Sequence, residues 1–165
     1  MTIIRKLSDA VYAIERFLVI VLLIFMLTSI LLGVLYRYFL KSPLSWSEEF
    51  GLFGLVWVTF IGGSMSIKTN KAAVVSFIMD RLPTRARKIF LGIAFFITFL
   101  FCVFALYLSL KWITEPAILL QKSQAVGIPM IIPYIGIPLG MFCMSVHSLD
   151  LFASIFRGDQ REGIA

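Results

Sequence analysis

His147 and Asp150 stand three residues apart, a spacing that puts an imidazole and a carboxylate on one face of a helix. Inside a membrane such a pair can pass protons, and intramembrane ionisable residues are functional candidates by default. Depth argues for a simpler role. On a helix starting near Ile131, residue 150 lies about 28 Å along the axis, close to the headgroups on the far side. The spacing therefore predicts an interfacial hydrogen-bonded pair rather than a relay. Two further acids, Glu48 and Glu49, follow Ser45-Trp46-Ser47 in a capping-box pattern, with Ser45 as the expected cap. The positive end of a helix macrodipole suits Glu48 there. A second adjacent acid is surplus to that role, so Glu49 is expected to pair with Arg37 or with a cation on a partner.

Other chemistries are poorly supplied. One histidine in the chain makes bis-histidine haem ligation impossible, and neither a Gly-rich phosphate loop nor zinc-ligand spacing occurs. Cys102 and Cys143 form no CxxC pair and sit within apolar runs, where a thiol behaves as a small hydrophobe. The chain is expected to be no enzyme and to hold no cofactor or metal of its own.

The elements that position these residues follow from composition. Of 165 residues, 60% are hydrophobic and 15% charged, against about 25% charged in a soluble domain. Uncharged runs cover residues 17–36, 50–67, 89–110 and 123–146. About 20 helical residues cross a 30 Å hydrocarbon layer, so four crossings follow. The fourth run opens on Gly127, Pro129 and Pro133, which places its helix over about 131–156. The first run is too long for a signal-peptide core and lacks a cleavage site, so it reads as a retained helix. The fold class is therefore an all-α integral membrane protein, a single domain with transmembrane helices over about 17–36, 50–67, 89–110 and 131–156.

Short interfacial helices join them. Ile3, Ile4, Leu7, Val11, Ile14 and Leu18 recur at helical spacing against Arg5, Lys6, Asp9 and Glu15, an amphipathic helix over about 3–16. Val74, Val75, Phe77, Ile78 and Leu82 line a second short helix, ended by Pro83 and recapped by Thr84. Eleven of the fifteen Lys and Arg flank the N-terminus, the second connection and the C-terminus. Only Arg37, Lys41, Lys111 and Lys122 lie on the other side, which puts both termini in the cytoplasm. The net charge of +6 forms no continuous basic face, so a nucleic-acid partner is not expected. In the second crossing, Thr59 with Gly63 and Gly62 with Ser66 are small-xxx-small pairs that let another helix approach.

These residues carry a family likeness. Arg37-Tyr38, Pro43-Leu44-Ser45-Trp46-Ser47-Glu48-Glu49, Val56-Trp57-Val58 and Ile61-Gly62-Gly63 resemble the signature of the small membrane (Q-type) subunit of tripartite ATP-independent periplasmic (TRAP) transporters. The likeness runs on through the basic second connection to Ile137-Pro138-Leu139-Gly140. Family members often carry a Gly/His stretch after the second helix, where this chain has Thr69-Asn70-Lys71-Ala72-Ala73-Val74, so no role of that histidine carries over.

The resemblance implies a bacterial inner-membrane protein that works with a large membrane subunit and a soluble periplasmic substrate-binding protein. The large subunit would carry out symport of sodium ions with an organic acid such as a C4-dicarboxylate or sialic acid. This chain would be its scaffold, with Arg37, Trp46, Glu48, Glu49, Trp57, Thr59, Gly62, Gly63 and Ser66 as candidate partner-interface or anchoring residues. None of the four runs carries a charge near its midpoint, which argues against a solute path through the chain. Two other readings exist on residues alone. One is a small homo-oligomeric channel or proton-linked exporter using His147, Asp150 or Glu15. The other is a membrane anchor for a respiratory enzyme.

Overall fold

The computed structural model describes residues 3–69 and 84–157. The second short helix expected over 74–82 lies outside them. Within them the chain forms α1 (Ile3–Phe39), α2 (Ser45–Thr69), α3 (Thr84–Ile113), α4 (Pro116–Leu119), α5 (Ile131–Tyr134) and α6 (Gly136–Arg157). No strand occurs among the described residues; Lys122 and Pro129 form an isolated antiparallel bridge. Among the described residues four segments are long and apolar enough to cross a membrane: Ile3–Phe39, Ser45–Thr69, Ala86–Ile113 and Ile131–Ile155.

The amphipathic segment over 3–16 is not a separate helix. Neither Pro nor Gly occurs between Ile3 and Leu32, so nothing interrupts the hydrogen-bond ladder, and α1 runs unbroken for 37 residues. The last crossing is broken instead. Pro138 has no N–H to return to the carbonyl of Tyr134, and the helix is interrupted at Ile135 before resuming as α6. The second helix begins at Ser45 itself, one residue earlier than a Ser45 cap requires.

The crossings stand in a row rather than a closed bundle. α1 packs on α2, α2 on α6, and α6 on α3, with a lesser contact between α1 and α6. Half of the Ile131–Ile155 crossing is buried within the chain, against 6% of the α1 window, as expected for an inner and an outer member. Close approach depends on glycines at two seams. A Cβ on Gly54 would lie 3.1 Å from Met26 Cβ, and one on Gly140 would lie 2.6 Å from Phe60 Cβ and 3.0 Å from its backbone. With lipid as solvent no hydrophobic effect drives helices together, so this backbone proximity and the dispersion contact it permits hold the seams.

Candidate functional site

The polar residues gather at the two ends of the row. At one end meet the N-terminal part of α1 and the C-terminal parts of α2 and α6. Ser8 and Glu15 are seven apart on α1, two turns along one face, and that face turns inward. His147 and Asp150 come from α6, and Lys68 from the last turn of α2, where a cation complements the negative end of the macrodipole. His147 Nδ1 lies 2.8 Å from Ser8 Oγ, and its Nε2 lies 3.0 Å from Glu15 Oε2. Lys68 Nζ donates to Ser8 Oγ at 2.6 Å, Asp9 Oδ1 at 2.6 Å and Asp150 Oδ2 at 3.1 Å. His147 and Ser8 are fully enclosed and Asp150 nearly so, while Asp9 is half exposed.

An ammonium can only donate, so Ser8 Oγ accepts from Lys68. The Ser8 hydroxyl and both nitrogens of His147 continue the chain of bonds to the Glu15 carboxyl group. A single path thus links Lys68, Ser8, His147 and Glu15 across three helices.

Two sequence expectations change here. Both nitrogens of His147 are occupied by α1 residues, so it does not pair with Asp150 on its own helix. The partner of Asp150 among these groups is Lys68. Glu15 is not on a water-facing polar side; it is 3% exposed, because the unbroken α1 carries it against α6. Ser8 and Lys68 were not singled out by the sequence. The seven-residue spacing of Ser8 and Glu15 was the available signal, whereas Lys68 resembles any flanking basic residue.

At the opposite end, Arg37 pairs with Glu48 rather than Glu49, and both are largely exposed. The 100° step between adjacent helical residues turns Glu49 elsewhere. Its carboxylate accepts from Ser123 Oγ at 2.5 Å and from the backbone N–H groups of Gln124 and Ala125 at 2.9 and 3.0 Å. The segment it grips is a tight loop, closed by bonds from Ser123 N to Ile128 O and from Met130 N to Gln121 O, with Gly127 at φ 74°. Glu49 therefore fixes the α3–α6 connection onto the start of α2. Trp46 is half-buried and meets Phe50 edge-on at 5.8 Å. Trp57 points into the α2–α6 seam, over Gly136, and its indole donates to the carbonyl of Ile132 at 3.3 Å, just before the break.

The small residues of α2 divide between two faces. Gly63 faces inward, where an added Cβ would lie 2.8 Å from Met144 Cε. A Cβ on Gly62 would meet nothing within 4 Å, and Thr59 and Ser66 are exposed beside it. Gly63 thus stands at the edge toward α6, while Thr59, Gly62 and Ser66 continue an open face that begins with Leu52 and Leu55. Among the described residues no group of three or more His, Cys, Asp or Glu side chains is placed to hold a metal ion. The arrangement is suited to locking helices together, with proton exchange along the Ser8–His147–Glu15 path as its one chemical capacity.

Comparison with known proteins agrees with the likeness seen in the sequence. Residues 26–158 match the family described as tripartite ATP-independent periplasmic transporters, DctQ component. The ectoine TRAP transporter small permease protein TeaB of Halomonas elongata is 25% identical over 151 residues, 90% of this chain and 73% of that protein. A putative TRAP transporter small permease protein of Haemophilus influenzae is 24% identical over 155 residues, covering 92% and 94% of the two chains. The isethionate TRAP transporter permease protein DctMQ of Oleidesulfovibrio alaskensis is 30% identical over 112 residues. That match covers 68% of this chain and spans only 18% of the longer relative.

Proposed function

The chain belongs to the DctQ component of tripartite ATP-independent periplasmic transporters, and from that premise we propose that it is the static brace of a sodium-coupled transporter. It is a small permease subunit and a multi-pass protein of the bacterial inner membrane. Its partners in this reading are a large membrane subunit that carries substrate and sodium ions, and a soluble periplasmic protein that delivers the substrate. The DctMQ relative supports the first partnership, because there a region like this chain is part of one much longer permease. The sodium ions bind in the large subunit, and this chain carries no cofactor. The cargo is an organic acid, for which C4-dicarboxylates and sialic acid are candidates. The relatives named for ectoine and isethionate widen that class. Both termini face the cytoplasm in this arrangement, following the Lys and Arg bias.

The observation that carries the proposal is that both ends of the helix row are tied by side chains from different helices, Lys68 and His147 at one end and Glu49 at the other. A carrier domain that moves across the bilayer needs a neighbour that keeps its depth and shape. The open α2 face of Thr59, Gly62 and Ser66 is where the large subunit packs, since small residues allow close approach within lipid. Co-reconstitution tests this. Sodium-driven uptake is expected only when both membrane subunits and the binding protein are present, and uptake by this chain alone would overturn the proposal. Gly62→Phe is expected to lower co-purification of the large subunit about tenfold, without lowering the chain's own melting temperature.

A further inference from the structure

Between α3 and the end of α6 lies a groove of about 620 Å³ whose walls include Lys88, Gly92, Ile93, Phe96, Phe152 and Ile155. Every one of these but Lys88 is apolar. Lys88, Gly92 and Phe96 follow at four-residue intervals on one face of α3, so the groove descends about 12 Å along that helix. Phe96 and Phe152 meet across it with ring centroids 5.6 Å apart and form its floor. Gly92 leaves the wall open: a Cβ there would meet nothing within 4 Å.

Charge and depth define what fits. Lys88 is the last charged residue before the uncharged run 89–110, which sets its ammonium at headgroup level and the apolar walls within the hydrocarbon. The first turn of α3 contains no acidic residue, and Lys88 adds its charge near the helix end where the macrodipole is already positive. That concentration of positive potential complements an anion. The geometry points to a bound anionic phospholipid, its phosphate on Lys88 and one acyl chain laid along the groove toward Phe96 and Phe152. Basic clefts between membrane-spanning helices recognise acidic headgroups in this way. A lipid that merely wets the outer surface has no such headgroup preference. The site lies on the α3–α6 side of the row, away from the open α2 face.

Native mass spectrometry of the delipidated full chain, titrated with dioleoyl phosphatidylglycerol or dioleoyl phosphatidylcholine, tests the assignment. One phosphatidylglycerol is expected to bind about fivefold more tightly than phosphatidylcholine, the preference one lysine near a headgroup provides. Lys88→Gln is expected to remove that preference by lowering the phosphatidylglycerol affinity more than the phosphatidylcholine affinity. Gly92→Leu fills open space, so the chain keeps its melting temperature while affinity for both lipids falls. Equal affinity for the two lipids in the unaltered chain overturns the site, as does undiminished binding by Gly92→Leu. Failure of the chain to bind either lipid overturns it too.

Discussion

Lys68 is the residue on which most of the polar bonding at one end depends, since three hydrogen bonds to α1 and α6 leave its single ammonium. Its side chain is 8% exposed and that of Asp150 only 1% exposed, so removing the cation takes a charged partner from a buried carboxylate. Lys68→Met is expected to destabilise the chain by about 3 kcal/mol, read as a fall in the thermal unfolding midpoint in detergent. Adding Asp150→Leu to it should recover more than half of that loss, because the buried carboxylate that lost Lys68 is then gone. Glu15 allows a gentler test of its bond to His147. Glu15→Gln keeps a hydrogen-bonding partner for Nε2 and should cost about 1 kcal/mol, whereas Glu15→Leu leaves that nitrogen buried without one and should cost about twice as much. Equal effects from the two substitutions would show that this bond adds nothing to stability. Little of this was legible in the sequence. Ser8 and His147 are 139 positions apart, and no local period reports such a meeting. Glu15 alternates with apolar residues as a water-facing side chain would, and only the uninterrupted length of α1 reveals where it goes.

Helices, by contrast, were readable, because crossing a bilayer demands a long uncharged run and the sequence has four. What the runs conceal is rotation. Gly62 and Gly63 are adjacent in sequence and belong to different surfaces, and Glu48 and Glu49 likewise bond different partners. Apolar residues surround each of these helices on all sides, so hydrophobic periodicity does not distinguish the face toward a neighbour from the face toward lipid. The seam between α2 and α6 depends on the residue missing its side chain. Gly140→Leu is expected to force these helices apart and cost about 1–3 kcal/mol of stability, measured by thermal unfolding. The loop held by Glu49 offers a local readout. Glu49→Ala removes the acceptor of the Gln124 and Ala125 amides, and their hydrogen-exchange protection should fall about tenfold while amides in α6 are unchanged.

At the scale of the molecule, the sequence predicted the class, four crossings and the likeness to a small transporter subunit, all of which stand. It did not predict the order in space, because which of four apolar helices touch is decided by a few glycines and two polar ends rather than by composition. Orientation is the remaining prediction at this scale. Single cysteines introduced at residues 2 and 164, in a Cys102→Ala and Cys143→Ala background, should react with an impermeant maleimide only after spheroplasts are opened, and one placed at Gln124 should react before. The linear order α1, α2, α6, α3 has a mechanical consequence. A closed bundle resists being taken apart until several interfaces yield at once. A file of neighbours comes away from its outer edge, so a pulling tip attached at the C-terminus meets the inner helix first and must drag α3 along with it. Pulled from the N-terminus, the same molecule should surrender α1 alone, in one separate early force peak.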